Sequence, residues 1–221
     1  RALLVRQADC GAITASVEEV ARADLSEGEV RVAVERSTVN DKDGLCMTGQ
    51  GDLVRRSPVR GVDLAGHVID SRDPCVRPGD GVMLTGWRVG EVTWGGYAEE
   101  ARVKADRLVS LPKGLSPRAT KVIGTAGLTA MLALQALEDR GQTHGAGPVL
   151  VTGAAGGVGS IAVALLSGAG YKVAALTGPP ETGPPETGAY RRDLGAARII
   201  PRHGLAEPGP GHSNPKLGQS N

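Results

Sequence analysis

The chain has 221 residues, 40% hydrophobic and only 2% aromatic, and it contains no phenylalanine. Twenty-five basic and 24 acidic residues leave a formal net charge of +1 with no basic run, which argues against nucleic acid as the partner. No apolar run near the length of a membrane span and no signal-peptide pattern is read, so a cytoplasmic protein without a membrane partner is expected.

The first half reads as β-rich. Ala2-Leu3-Leu4-Val5 is a short strand, and Glu29 to Arg36 alternates apolar and polar residues with the period of a half-buried strand. Gly61 to Ile69 is a further strand, opened and interrupted by glycines where a bulge or close backbone approach is expected. Arg77-Pro78-Gly79-Asp80-Gly81 is a turn leading into a strand at Val82-Met83-Leu84. Gly95 to Val103 leads into another extended run, and Leu108 to Pro112 closes the region. With so few aromatic residues the core rests on Val, Leu, Ile and Ala, and modest stability is expected. Cys10, Cys46 and Cys75 are far apart and form no CxxC pair, so they read as free thiols of a reducing compartment.

At Ser116 the period becomes helical. Ser116-Pro117 fits an N-cap followed by proline in the first helical position. A longer helix is expected from Leu128 to about Arg140, with Leu128, Met131, Leu132, Leu134, Gln135 and Leu137 on its inner face and Gly141 as its stop. Val149-Leu150-Val151 then reads as a buried strand, Thr152 to Ser160 as a glycine-rich turn opening a helix, and Tyr171 to Thr177 as a second strand. Strand, glycine turn, helix, strand is the first half of a dinucleotide-binding unit. Glycines make the tight turn, admit backbone N–H groups to a pyrophosphate and let helix and strand pack closely, while the helix N-terminus faces the phosphate. The bland alternative is a plain strand-to-helix turn. The correct periodicity on both flanks favours nucleotide binding by Gly156, Gly157, Val158, Gly159 and Ser160.

Beyond Thr177 the sequence Gly178-Pro179-Pro180-Glu181-Thr182 is repeated unchanged at 183–187, and its Pro-Pro pairs forbid a helix there. A short helix from Tyr190 to about Leu194 and a third strand at Ala197 to Ile200 are expected, followed by a disordered tail from 203 to 221.

Several blocks together resemble one family: Asn40-Asp41-Lys42-Asp43, Gly61-Val62-Asp63-Leu64-Ala65-Gly66, Thr85 to Glu91, Trp94 to Glu99, Gly124 to Met131, and the glycine turn. The chain resembles the zinc-free, quinone-oxidoreductase-like side of the medium-chain dehydrogenase/reductase superfamily, in its acrylyl-CoA reductase branch. The resemblance implies an α/β fold, with a GroES-like β-rich domain over 1–115 and a partial Rossmann-type doubly wound parallel sheet over 116–202. It implies NADP as cofactor, with NAD as the alternative, and hydride delivery to the β-carbon of an enoyl thioester or to a quinone-like substrate. It leaves a homodimer open.

Carried over residue by residue, the resemblance gives Asn40 and Asp41 as catalytic positions. It gives Asp43, Gly44, Thr129, Gly156 to Ser160, Thr177, Gly178 and Arg198 as cofactor contacts. Asp41 stands where the family has a tyrosine, and an ionised carboxylate cannot donate to a developing enolate. Pro179 stands where an arginine would meet the 2′-phosphate. Arg191, Arg192 and Arg198 are substitutes for that charge, and Glu181 or Glu186 would instead meet ribose hydroxyls and favour NAD. About a hundred residues that complete the family's sheet are absent, which points to a truncated or divergent member with impaired activity. A non-catalytic nucleotide-binding protein that retains part of the fold is the competing reading. His67, Asp63 and Cys46 lie near positions that hold zinc in other relatives, but the Gly-His-Glu signature is missing and no metal site is expected.

Overall fold

The computed structural model describes residues 1–8, 11–48, 57–178 and 192–201. Cys10, the tandem repeat with Pro179, Glu181 and Glu186, Arg191 and the tail fall outside them.

Two compact units divide between Thr129 and Ala130. In the first, strand β1 (Ala2–Gln7) pairs antiparallel with β2 (Ile13–Glu18) as a two-stranded sheet. Strands β3 (Val30–Arg36), β4 (Asp63–Ser71), β5 (Gly81–Thr85), β6 (Glu100–Val103) and β7 (Val109–Ser110) form a five-stranded sheet in the order β6-β3-β4-β5-β7. Every pairing in it is antiparallel. Its inner face is an aliphatic cluster that includes Val30, Val32, Leu64, Leu84 and Val89. The alternation read from 29–36 is what places Val30 and Val32 there. β2 was not anticipated, because as an exposed edge strand it carries no buried stripe for periodicity to reveal: Val17 is 67% exposed.

Gly66 shows why β4 needs its glycines. A Cβ there would lie 1.8 Å from the Ala33 carbonyl oxygen, where β3 and β4 shift register. Gly66→Ala is therefore expected to lower stability by about 1–3 kcal/mol or more, read as a reduced urea midpoint.

Helix α1 (Asp41–Thr48) was also not anticipated. Its start carries one arm of a capping box, because Asp43 Oδ2 accepts from the Asn40 backbone N–H at 3.0 Å. The Asn-x-x-Asp spacing was the available signal.

Helix α2 (Pro117–Asp139) differs from expectation. Ser116 caps it through the Ala119 N–H at 3.2 Å. The helical run is continuous from 117, interrupted only at Gly124 (φ 52, ψ −158). By length and composition it could cross a membrane, with a mean hydropathy of 1.3. Two observations oppose that reading. Lys121, near its start, is buried with Asp63, and the unbroken part after Gly124 is about 22 Å long, short of a hydrocarbon core of about 30 Å. The unit boundary lies inside α2 rather than ahead of it, because residues 120–125 bond to β4 and β5. Of the expected inner face only Leu134 is buried and Leu137 half-buried; Leu128, Met131 and Leu132 are exposed. Leu134 and Leu137 pack with the second unit's core.

The second unit holds β8 (Val149–Val151), α3 (Gly157–Gly168), β9 (Val173–Thr177) and β10 (Arg198–Pro201). The sheet order is β10-β9-β8 and both pairings are parallel, as the strand–turn–helix–strand reading requires. Gly170 (φ 90) follows α3 and frees the chain for β9. All five residues of β9 are buried, as expected of a central parallel strand. Of the expected short helix, the described part has helical backbone at Arg192 and Asp193.

Candidate functional site

The glycine turn lies between β8 and α3. Gly153 has φ 59, and the Gly156 N–H donates to its carbonyl at 2.9 Å. Gly156 is the extended N-cap of α3 (φ −78, ψ 172). The first N–H groups of a helix have no intrahelical acceptor, so the N-terminus of α3 offers donors and a positive dipole end. Two glycines do different work. At Gly159 a Cβ would lie 2.3 Å from the Gly153 carbonyl oxygen and 2.8 Å from the Ala154 Cα, so this glycine allows helix and turn to touch. At Gly156 a Cβ meets only the Gly153 carbonyl, at 3.4 Å. Space there is open, which fits a backbone kept bare for a ligand. Gly157 and Val158 are exposed, and Ser160 returns its hydroxyl to the Gly157 carbonyl at 3.1 Å.

Beside the turn, α2, β8 and α3 enclose a cavity of about 510 Å³ with a mainly aliphatic lining, including Leu134, Leu137, Val151 and Ala162. The glycine turn contributes Gly153, Gly156, Gly157 and Gly159 to the same lining.

Thr177 and Gly178 end β9, and Thr177 is buried. Arg198 does not join them. β10 pairs Arg198 with Ala174 and Pro201 with Thr177. Arg198 therefore enters the sheet about 10 Å from the carboxyl ends of the strands, where a dinucleotide would lie. Periodicity located its strand, and the register places it at the amino-terminal side of β10.

In the first unit Thr38, Asn40 and Asp43 turn toward a buried polar junction. Asp63 is fully buried at the start of β4. Its carboxylate accepts from the Thr38 hydroxyl, from the Thr125 N–H at 3.1 Å and from the Thr125 hydroxyl at 2.9 Å. Lys121 Nζ stands 3.9 Å away and donates to the Leu84 carbonyl and the Thr85 hydroxyl, each at 3.1 Å. Burial pulls the Lys121 pKa down, and Asp63 opposes that shift. Gly124, whose Cβ would lie 3.1 Å from Thr38 Cγ2, lets α2 bend around the junction. Sequence reasoning placed Asp63 in a family block and missed Lys121 entirely. A lysine in an otherwise apolar helix was the available signal.

This junction settles where the predicted catalytic groups point. The Asn40 side-chain nitrogen donates to the Thr38 hydroxyl at 2.8 Å and lies 3.5 Å from Asp63, so its donor is committed inward. Asp43 is buried, with one oxygen on the Asn40 N–H and the other on the Gly61 N–H at 3.2 Å. Its carboxylate is committed to backbone. Tyr97, the aromatic closest to these groups in the bonding pattern, donates to the Thr38 carbonyl at 2.9 Å, and burial first and Asp43 second raise its pKa. Asp41 and Gly44 are exposed on α1. Thr129 returns its hydroxyl to the Thr125 carbonyl at 2.8 Å, the usual back-bond of a helical threonine.

His67 pairs with Glu35, and burial raises the Cys46 thiol pKa. Among the described residues no group of three or more His, Cys, Asp or Glu side chains is arranged to hold a metal ion.

The loop after β5 is strained. Trp87 (φ 54) and Arg88 (φ 59) are consecutive left-handed residues, which costs about 1–2 kcal/mol apiece. Val89 anchors the loop in the core, the Gly86 N–H donates to the Val62 carbonyl at 3.1 Å, and the Arg60 guanidinium donates to the Gly90 carbonyl at 3.2 Å.

Comparison with known proteins agrees with both units. Residues 26–113 match the alcohol dehydrogenase GroES-like domain. The Salmonella enterica yhdH oxidoreductase, solved in complex with NADP, superposes with a TM-score of 0.87 at 50% identity over 94% of this chain and 62% of that one.

The chain is similar, through both units, to oxidoreductases that carry an alcohol dehydrogenase GroES-like domain.

It is 56% identical over 200 residues to a Ruegeria pomeroyi protein named acrylyl-CoA reductase AcuI, covering 90% of this chain and 59% of the relative. Bacillus subtilis yhfP, solved with NAD bound, gives a TM-score of 0.84 at 39% identity over 93% of this chain and 61% of that one. The chain thus spans about three fifths of the length of the medium-chain reductases it matches.

Proposed function

We propose that the chain supplies the GroES-like unit and the nucleotide-binding turn of an NADPH-dependent oxidoreductase, one that reduces the C=C bond of an α,β-unsaturated thioester of the acrylyl-CoA type. The observation that carries this reading is the bare, open backbone at Gly156 where α3 begins on a parallel sheet. The turn fits a dinucleotide: Gly157, Val158 and Gly159 would hold the pyrophosphate through backbone N–H groups. When bound, NADPH supplies the hydride. NADP is favoured over NAD by the similarity to the yhdH oxidoreductase; the yhfP complex keeps NAD as the alternative.

The chain's own task is to orient the thioester and stabilise negative charge on its oxygen. A donor aimed at that oxygen is the usual device. Asn40 has turned its amide nitrogen inward, and Asp41 stands where the resemblance calls for a hydroxyl donor. That arrangement favours a second reading, nucleotide binding with little or no turnover. Absorbance of reduced nicotinamide with acrylyl-CoA separates the two: turnover supports the reductase, and NADPH binding without turnover supports the second. Asp41→Tyr is expected to raise the rate of reduced-nicotinamide consumption about a hundredfold by adding a hydroxyl donor. An unchanged rate removes position 41 from the site.

Gly156→Val tests the turn itself. Its backbone conformation suits any residue and its surroundings leave room, so the melting curve should be unaltered while NADPH affinity collapses. Unaltered affinity would show that the phosphates bind elsewhere.

A further inference from the structure

The loop after β5 carries two features that the dinucleotide turn leaves unused. Trp87 is 59% exposed, yet it is held on strained backbone by a loop pinned on both sides. The Arg107 guanidinium lies over its ring, 5.9 Å from the centroid. Arg88, next in sequence, keeps its side chain 59% exposed while its Nε donates to Glu91 at 3.3 Å. Glu91 also accepts from Lys42 of α1 at 3.2 Å. The loop is thereby tied to the helix that carries Asp41.

An exposed indole with one guanidinium over its ring and a second arginine next in sequence has a definite chemical complement. The ring offers a face for stacking a planar base, and guanidinium groups take phosphate oxygens in bidentate fashion. Backbone strain that persists at an exposed aromatic serves placement rather than stability, because a relaxed loop would bury more of the ring. We infer that Trp87, Arg88 and Arg107 form a platform for a purine nucleotide phosphate, namely the adenosine 3′-phosphate end of a CoA thioester substrate. The inference rests on the thioester reading above and adds to it the residues that recognise the carrier. The other source of the same chemistry is the adenosine 2′-phosphate of NADP. The glycine turn of the second unit provides only for that dinucleotide's pyrophosphate, so the two bisphosphates below distinguish the sources.

The test is calorimetric titration of the full chain with adenosine 3′,5′-bisphosphate, with adenosine 2′,5′-bisphosphate and with pantetheine, which lacks the nucleotide. The 3′,5′-bisphosphate is expected to bind, and Trp87→Leu and Arg107→Gln are each expected to weaken it about tenfold or more. NADPH affinity and the melting temperature should stay unchanged in both variants. Pantetheine should show no dependence on either residue. Equal binding of the 3′,5′-bisphosphate by the parent and Trp87→Leu overturns the platform, as does failure of the parent to bind it. Tighter Trp87-dependent binding of the 2′,5′-bisphosphate also overturns the assignment, because it gives the loop to the dinucleotide. Loss of NADPH binding with Trp87-dependent 3′,5′-bisphosphate binding retained supports the platform and sinks the oxidoreductase reading instead, so the two ideas fail separately.

Discussion

Asp63→Ala is expected to destabilise the first unit by about 3–5 kcal/mol, a large fraction of the stability of an ordinary domain. The carboxylate is fully buried and joins two other segments to β4: Thr38 before α1, and α2 through Thr125 and, by charge, Lys121. Its removal leaves the Lys121 ammonium buried with only two neutral acceptors, the Leu84 carbonyl and the Thr85 hydroxyl. An uncompensated buried charge is the expensive outcome, much more so than the loss of a surface pair such as Arg1 with Glu99.

The sign of the pH dependence follows. Burial sets the Lys121 pKa below its ordinary 10.5 in the folded protein. Between the folded and unfolded values the unfolded chain binds more protons, so folded stability rises with pH through that window. Without Asp63 the folded value falls further and the window widens downward. The variant should therefore regain part of its lost stability as pH rises toward 10, in urea titrations at a series of pH values. A flat pH response would mean that the lysine had escaped to solvent.

Gly159→Val is the second large effect. The new Cβ would stand 2.3 Å from one backbone oxygen and 2.8 Å from a backbone Cα, neither of which can swing aside as a side chain can. The helix must lift off the turn, which costs about 1–3 kcal/mol or more by overpacking. It also carries the N-terminal N–H groups away from the phosphate. Both the melting curve and NADPH affinity should suffer. Gly156→Val should spare the first and abolish the second. The pair thus separates the glycine that the fold needs from the glycine that the ligand needs. Equal melting curves for the two variants would refute that division.

The legible parts of this chain were those in which a local pattern answers a local physical demand. Alternation at 29–36 declared β3, because one face of that strand is buried. The glycines between β8 and α3 declared the nucleotide turn, because no other residue tolerates the backbone contact at Gly159. Composition and motif blocks were enough for the α/β plan. The exposed strand β2 and the short helix α1 were not legible, since neither buries a periodic stripe.

The candidate chemistry depended on things a sequence does not hold. Parallel register put Arg198 opposite Ala174 and away from the carboxyl edge of the sheet. The meeting of residues 38–43, 63 and 121–125 turned Asn40 and Asp43 inward, and revealed Lys121 as the partner of Asp63. The sequence by itself determined most of the segments that fold as strands and helices, and the glycine turn between β8 and α3, because those follow from interactions a few residues apart. Only the tertiary structure decided which polar groups remain available for a ligand, because burying one carboxylate commits hydrogen-bond donors drawn from segments more than sixty residues apart.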